Sequence, residues 1–321
     1  MSAERGRKRK FDSMSISVPK SKPGASHLNV TDPALVKMPT IMTLTGQAGK
    51  GKTTAAVNFL EKMKRNELCD RIFLISPTAN SNQKLWSEMN LPIDDEDTWH
   101  PDAANVIEEI QNKIKEERDE YEKYKEEMEQ YRQMIRAFQG AGNITQKVAL
   151  NAFNFVTMKQ GQAELRRPTH KWNGKIPVLW MFFDDCQGNR IFKNNSGLSR
   201  MAIEHRHQGQ FSDGGAVGVS MLLNLQNFKD RSDGCPKPVR SNSKQFGLFY
   251  TRDNKERDAV AEEAGGVTDP QTLLQKWDEA TAPMTPRFLL VDKEPVDGKT
   301  VFRQNFDTPL DPPPEVTGAA G

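Results

Sequence analysis

Long apolar runs, clustered cysteines and a strong net charge are all lacking in this sequence of 321 residues. No run approaches the roughly 18 apolar residues of a membrane-spanning helix, and the N-terminus has no signal-peptide apolar region, so we expect no membrane partner. The three cysteines lie far apart, which argues against a cysteine-based metal site and fits free thiols in a reducing compartment. The formal net charge is +2, so any contact with nucleic acid must be local.

Both ends of the chain contain few large apolar residues. We predict a disordered basic tail over residues 1–36, which begins MSAERGRKRKFD, and a Pro-rich tail over residues 311–321. The basic run at 7–10 is typical of a nuclear import signal or a nucleic-acid-binding arm, and a solvated tail explains it equally well. The folded domain is therefore predicted to span residues 37–310.

Between the tails, short apolar runs alternate with helix-forming stretches. The apolar runs are IMTL at the start of the domain, then RIFLISPT, PVLWMFF, VGVSMLLNL and QFGLFYT. Continuous apolar residues indicate strands that are covered on both faces, as in a parallel sheet. The alternation therefore predicts a doubly wound α/β fold with a central, mostly parallel sheet.

One interval, residues 103–139, departs from this alternation because it is long, charged and free of Gly and Pro. Its second half carries an apolar stripe at steps of three and four residues, formed by Tyr121, Tyr124, Met128, Tyr131, Ile135 and Phe138. We predict a long helix or a helical hairpin inserted into the α/β domain. The stripe packs either against its own subunit or against a neighbouring one.

The stretch TLTGQAGKGKTT, residues 43–54, joins the first apolar run to a helix-forming run. Its spacing Gly46-x-x-x-x-Gly51-Lys52-Thr53 fits the phosphate-binding loop of nucleotide hydrolases. Glycines allow successive backbone N–H groups to face phosphate oxygens, and the following helix adds the partial positive charge of its N-terminus. In this pattern Lys52 reaches the β- and γ-phosphates of ATP, and the Thr53 hydroxyl binds Mg²⁺. The predicted nucleotide-binding residues are Gly46, Gln47, Ala48, Gly49, Lys50, Gly51, Lys52, Thr53 and Thr54.

A pair of acids follows the apolar run in PVLWMFFDDC. Asp184 and Asp185 come at its end, where the residues of a buried parallel strand reach the crevice that binds ligands. A phosphate-binding loop needs such acids to hold Mg²⁺ and to activate water. We predict that Asp184 holds Mg²⁺ through water and that Asp185 orients the attacking water or accepts its proton.

Amides end another apolar run, in MLLNLQNF. An amide at a strand end can hydrogen-bond both the γ-phosphate and the attacking water. Asn224 and Gln226 are the candidates, and we predict Gln226 because the apolar pattern stops there.

The order of these motifs resembles that of genome-packaging ATPases of eukaryotic DNA viruses, the poxvirus-type branch of the FtsK/HerA superfamily. The resemblance covers residues 38–292 and is carried by GQAGKGKT, RIFLISPT, FFDD, IEHRHQG, LLNLQNF, PKPVRSNSKQFGLFYTRDN and RFLLVD. It implies a RecA-like P-loop fold and an ATP-driven double-stranded DNA translocase that loads a viral genome into a preformed capsid. It also implies ATP and Mg²⁺ bound between the subunits of a homo-oligomeric ring, a pentamer or hexamer, with a capsid or portal partner. The implied location is the nucleus or the viral assembly site of an infected cell.

In this family an arginine reaches the γ-phosphate of the neighbouring subunit. Arg206, in the Arg-His pair before the amide-tipped strand, is the better match, and Arg240 is the alternative. A translocase must also contact DNA phosphates without reading bases. The candidate DNA contacts lie in NFKDRSDGCPKPVRSNSK and are Lys229, Arg231, Lys237, Arg240 and Lys244.

Proteins with other functions also contain a phosphate-binding loop of this kind. A helicase or DNA-pumping ATPase of the same superfamily would act outside packaging, and a nucleotide-switched binding protein would use ATP without transport. A small-molecule kinase is disfavoured, because the acid pair and the Gln-tipped strand indicate water as the phosphoryl acceptor.

Overall fold

Within the described residues, nine strands form the central sheet, and a two-stranded hairpin lies outside it. The computed structural model describes residues 24–25, 27–79, 86, 88, 90–140, 155–159, 162–193, 196–229, 234–264, 266–282 and 287–310. In chain order the strands are β1 (Ile41–Thr45), β2 (Arg71–Ile75), β3 (Thr98–Trp99), the hairpin strands β4 (Val156–Lys159) and β5 (Gln162–Leu165), β6 (Leu179–Phe183), β7 (Ser220–Leu225), β8 (Gln245–Phe249), β9 (Phe288–Asp292), β10 (Phe302–Gln304) and β11 (Thr308–Pro309).

The strand order in the sheet is β11-β10-β9-β8-β1-β7-β6-β2-β3. The six strands from β8 to β3 run parallel, and β9, β10 and β11 are antiparallel additions at one edge. The predicted α/β fold with a mostly parallel central sheet is confirmed. Strand β7 lies between β1 and β6, so the carboxyl ends of these three strands are side by side. The glycine loop, the amides and the acid pair each lie at one of these ends.

Helices cover both faces of the sheet, which explains why its strands are continuously apolar. In β1, Ile41 packs into the core on one face, and the next residue, Met42, packs into the core on the other. Helix α1 supplies Phe59 and Leu60 to the second core, whereas the long helix α2 supplies Ile110 to the first. The helices are α1 (Lys52–Arg65), α2 (Val106–Phe138), α3 (Leu198–Glu204), α4 (Lys237–Asn242), α5 (Asn254–Ala264) and α6 (Pro270–Thr281).

The predicted insertion is one continuous helix of 33 residues, α2, and not a helical hairpin. Its apolar stripe packs against its own chain. Tyr124 stacks on His170 with ring centroids 5.0 Å apart, and Tyr131 meets Phe155 edge to face at 5.6 Å. At the far end of the helix, Phe138 is 66% exposed.

A buried cluster of charges joins α2 to the sheet. The guanidinium of Arg71, the first residue of β2, donates to both carboxylate oxygens of Asp97 at 2.5 and 2.8 Å. It also donates to Glu117 of α2 at 2.6 Å, and the Trp172 indole donates to the other oxygen of Glu117 at 2.5 Å. Removing one partner from such a buried pair leaves an uncompensated charge, so this cluster fixes the helix to the sheet.

Some residues of the predicted tail pack on the sheet domain. Leu35 and Val36 are buried, because they are large apolar side chains beside the core on the α1 face. Val36 also forms a β-bridge with Pro295. Residues 1–23 and 311–321, which include the basic run and the Pro-rich tail, lie outside the described residues. Among the described residues, no helix combines the length and the apolar character that a membrane crossing needs.

Candidate nucleotide-binding site

The glycine loop lies between β1 and α1, at the carboxyl end of the parallel strands. Gly46 packs so closely on the end of β8 that a Cβ atom there would stand 2.6 Å from Phe249 Cβ. Gly51 precedes the helix with a φ of 86°, a left-handed conformation that favours glycine. Gly49 faces open space, since a Cβ there would meet no atom of the described residues within 4 Å. The loop backbone is therefore sharply bent and accessible, as a phosphate cradle requires.

Lys52 begins α1 and folds its side chain back across the loop. Its Nζ donates hydrogen bonds to the carbonyls of Gly46 at 2.6 Å and Gln47 at 3.0 Å. Burial lowers the pKa of this ammonium group, while the nearby charges of Asp185 and Asp184 raise it in part. A buried cation that rests on neutral carbonyls is well placed to bind the charged oxygens of a phosphate.

The first acid, Asp184, contacts both the loop helix and the strand beside it. Thr53 Oγ1 donates to Asp184 Oδ1 at 2.8 Å, and Asn224 Nδ2 donates to the same oxygen at 2.6 Å. Burial raises the pKa of the Asp184 carboxyl group, although the hydrogen bonds from Asn224 and Thr53 lower it in part. Residues that are far apart in the sequence thus meet at one carboxylate oxygen.

The second acid, Asp185, is held by the amide predicted from the sequence. Gln226 Nε2 donates to Asp185 Oδ1 at 2.6 Å. Asp185 has a φ of 54°, a left-handed conformation that Asp and Asn tolerate better than most residues. Both side chains belong to exposed residues, so this pair lies at the mouth of the site, where water can enter.

These residues fit a magnesium–nucleotide complex. The described residues contain no group of three His, Cys, Asp or Glu side chains suited to a metal ion. Mg²⁺ needs only one or two carboxylates, however, when phosphates and waters complete its octahedron. Asn224 Oδ1 is buried and accepts no hydrogen bond within the described part of the chain, so it offers an acceptor beside Asp184 for a metal-bound water. Thr53 and Asp184 are therefore the residues that would hold the ion.

Two further residues shape the site. Asn224, which the apolar pattern ranked below Gln226, contacts Asp184 directly. Gln187 Nε2 donates to Asn227 O at 2.5 Å, and its Oε1 accepts from the Asn227 backbone N–H at 2.9 Å. Gln187 thus fixes the turn that carries Gln226. Gln187 lies two residues after the acid pair. That position did not identify it from the sequence, because polar residues are common in loops.

Arg206 lies at the opposite end of the sheet from the glycine loop. It belongs to the 3₁₀ turn His205–His207, and its guanidinium is 3.9 Å from Glu294 in an open cavity of about 450 Å³. Thr40 and Gln245, at the amino ends of β1 and β8, line the same cavity. The five residues of β1 put about 16 Å of strand between this cavity and the loop, too far for an arginine side chain to span. The predicted role of Arg206 at a γ-phosphate therefore requires a neighbouring subunit.

The candidate DNA contacts do not lie on one surface. Their connection crosses from the carboxyl end of β7 to the amino end of β8, so Lys229 and Lys244 lie at opposite ends of the sheet. Lys229 pairs with Glu262 at 3.0 Å, and Arg240 pairs with Glu263 at 2.9 Å. The segment that reads as one basic loop in the sequence is thus a crossover connection that contains α4.

The other candidates have different surroundings. Lys237 begins α4 and is exposed. Lys244 forms an ion pair with Glu294 in the cavity that also contains Arg206. Arg231 lies outside the described residues.

Comparison with protein-family models finds no match, and comparison with curated proteins finds none either. Among solved structures, the genome packaging NTPase B204 from Sulfolobus turreted icosahedral virus 2 in complex with ATP-gammaS has a TM-score of 0.40 and 12% identity, over 87% of this chain and 100% of that chain. Its complex with AMPPCP has a TM-score of 0.41 and 13% identity, over the same shares. B204, the DNA-packaging ATPase from Sulfolobus turreted icosahedral virus, has a TM-score of 0.42 and 11% identity, over 85% of this chain and 98% of that chain.

At these scores the likeness is weak, and the fold and the site are defined by the strand order and by the contacts at the loop. None of these three structures is of the poxvirus type, so they give no support to the poxvirus-type branch expected from the motifs.

Proposed function

We propose that this protein is an ATPase that drives double-stranded DNA into a preformed viral capsid. One observation carries the hydrolytic part of the proposal. Adjacent acids at the end of β6 contact the loop helix through Thr53 and the neighbouring strand through Gln226, so the loop, the acid pair and the amide meet at one point. A triphosphate on the loop would therefore meet a carboxylate beside its terminal phosphate.

Binding of the phosphates falls to the loop backbone and Lys52. The ammonium lies against the carbonyls of Gly46 and Gln47, inside the bend that the loop forms, and it can exchange these neutral acceptors for phosphate oxygens. The N-terminus of α1 adds its partial positive charge from the same side. Mg²⁺, when bound by Thr53 and Asp184, would neutralise the negative charge that develops on the phosphates.

Activation of water falls to Asp185 and Gln226. Asp185 is exposed and, among the described residues, accepts one hydrogen bond, from Gln226 at 2.6 Å, so its carboxylate retains acceptor capacity for the proton of an attacking water. Gln226 has a second amide hydrogen and a carbonyl oxygen with which to orient that water. Asn224 hydrogen-bonds Asp184, whereas Gln226 hydrogen-bonds Asp185. The two acids therefore have separate roles, Asp184 in holding Mg²⁺ and Asp185 in activating water.

The transport part of the proposal rests on the order of motifs along residues 38–292 and on the position of Arg206. An arginine at the far end of the sheet serves hydrolysis if subunits pack so that this end faces the loop of a neighbour, as in a ring. In such a ring Arg206 would stabilise charge at the neighbour's γ-phosphate.

Hydrolysis measured with and without double-stranded DNA, alongside the oligomer mass with and without ATP, tests this proposal. We expect turnover to rise on addition of DNA and to fall by about a hundred-fold or more in Lys52→Ala, because the phosphates lose their buried cation. Lys123→Ala, which removes an exposed lysine of α2, is the matched control and should hydrolyse ATP like the wild type.

Turnover that ignores DNA, in a protein that retains its product tightly and stays monomeric with ATP, would favour a nucleotide-switched binding protein instead.

A further inference from the structure

A tyrosine lies beside the glycine loop, on the side away from the acid pair. Tyr250 follows the last residue of β8 and is half-buried. The Nζ atom of Lys50, a loop residue, stands over the Tyr250 ring at 5.4 Å from its centroid. Arg252 Nε donates a hydrogen bond to the Tyr250 hydroxyl at 3.3 Å. The proposed chemistry of hydrolysis uses none of these three residues.

The two flanks of the loop differ in chemistry. On the β7 flank lie the acids and amides that would receive the terminal phosphate and its metal ion, represented by Asp184 and Gln226. On the β8 flank lie Phe249, which contacts Gly46, and then Tyr250. A nucleoside triphosphate is an elongated molecule with its base at the end far from the γ-phosphate. When the γ-phosphate faces the acids, the β8 flank is the side of the loop toward which an extended nucleotide would run.

Packing fixes the position of the tyrosine relative to the loop. Phe249 stacks on Phe288 of β9 with ring centroids 4.8 Å apart and an interplanar angle of 23°. The Trp277 indole of α6 donates to the Phe249 carbonyl at 3.1 Å. The close contact between Gly46 and Phe249 then joins this rigid strand end to the loop. Tyr250 is therefore held at a defined distance from the site that binds phosphates.

We propose that the Tyr250 ring is the surface on which the nucleobase stacks, with Lys50 covering that ring before the base arrives and Arg252 holding its hydroxyl end. The inference rests on the proposed function, because it assumes that the loop binds a nucleoside triphosphate. Aromatic side chains bind bases through their π-faces, and a cation above a ring is a weak contact that a base can replace.

Equilibrium binding of two probes in the presence of Mg²⁺ tests the inference: AMPPCP, which carries a base, and inorganic tripolyphosphate, which does not. Tyr250→Ala should weaken AMPPCP binding about ten-fold or more and leave tripolyphosphate binding within about two-fold of wild type. Tyr250→Phe keeps the ring and should bind both probes like the wild type. Phe138→Ala removes an exposed aromatic residue at the far end of α2 and is the matched control.

Equal binding of AMPPCP by wild type and Tyr250→Ala would overturn the inference. So would an equal loss for both probes, because that result means that the substitution has moved the loop. Failure of the wild type to bind either probe would instead overturn the proposed function, on which the inference depends.

Discussion

The two ends of the parallel strands use polar residues in opposite ways. At the carboxyl end, Asp185 and Gln226 are exposed, and Lys52 rests on neutral carbonyls. At the amino end, Gln245 and Asp292 are fully buried. Gln245 Nε2 donates to Asp292 Oδ1 at 2.9 Å, and Arg303 donates to the other oxygen of Asp292 at 2.9 Å.

Burial is the dominant influence on the amino-end carboxylate. It raises the pKa of Asp292, although the hydrogen bond from Gln245 and the charge of Arg303 lower it in part. Both carboxylate oxygens of Asp292 accept hydrogen bonds in this network, which stabilises the join between β8, β9 and β10. The carboxyl-end groups retain bonding capacity for a ligand. Burial of polar residues therefore does not separate structure from chemistry in this sheet. The two carboxylates differ in the hydrogen bonds that they accept within the described residues: Asp292 accepts them at both oxygens, whereas Asp185 accepts one at Oδ1.

The largest expected effect is on catalysis at the carboxyl end. Asp185→Asn removes the acceptor for the proton of water, and we expect kcat to fall by about 100-fold to 10,000-fold. Asn tolerates the left-handed φ of 54° at this position, so the fold should be preserved. Steady-state hydrolysis and denaturant unfolding of the ligand-free protein measure the two effects. An Asp185→Asn protein with wild-type turnover would remove Asp185 from the mechanism.

At the amino end we expect the reverse outcome. Asp292→Ala leaves the buried guanidinium of Arg303 uncompensated, and the free energy of unfolding should fall by about 3–5 kcal/mol. Turnover per folded molecule should stay close to wild type. Denaturant unfolding with urea, followed by hydrolysis assays well below the transition, checks both statements. The contrast between the two ends breaks down if Asp292→Ala lowers kcat as strongly as Asp185→Asn does.

A smaller effect is expected when two inactive variants, one changed at each end of the sheet, are mixed. Arg206→Ala and Asp185→Asn should each be inactive alone in a ring, because every site lacks one of the two groups. In a random equal mixture about one interface in four combines an intact Asp185 with an intact Arg206, so up to about a quarter of wild-type turnover should return. Hydrolysis measured across mixing ratios tests this expectation. A mixture that recovers no activity would argue against Arg206 as the arginine that acts in trans.

The sequence predicted which side chains meet at the carboxyl end of the parallel strands, because the rule behind that prediction is local. Apolar runs marked the strands, and the polar residues at their carboxyl ends had to meet once the strands were parallel. Thr53, Asp184 and Gln226 follow from that rule. Asn224 was the second amide candidate, because it lies inside the apolar pattern, and only the neighbouring strand shows that it contacts Asp184.

The amino end could not be predicted, because its contacts depend on which strands are neighbours. Gln245, Asp292 and Arg303 come from three strands that pair antiparallel. No local sequence pattern predicts this pairing. The same limit applies to α2. Its sequence contains many glutamates, and only the packed structure selects Glu117 as the partner of Arg71.

The contact between Arg71 and Glu117 fixes α2 to the sheet at one point, and the rest of the helix extends away from that point. The 33 residues of α2 span about 50 Å, and the helix starts in the core and ends at the exposed Phe138. The arm from Glu117 to Phe138 is about 32 Å long, so a tilt of about 5° at Glu117 would displace its tip by about 3 Å, close to the rise of one residue in a strand. Small rearrangements beside the acid-bearing strand would thus be magnified at the periphery of the molecule.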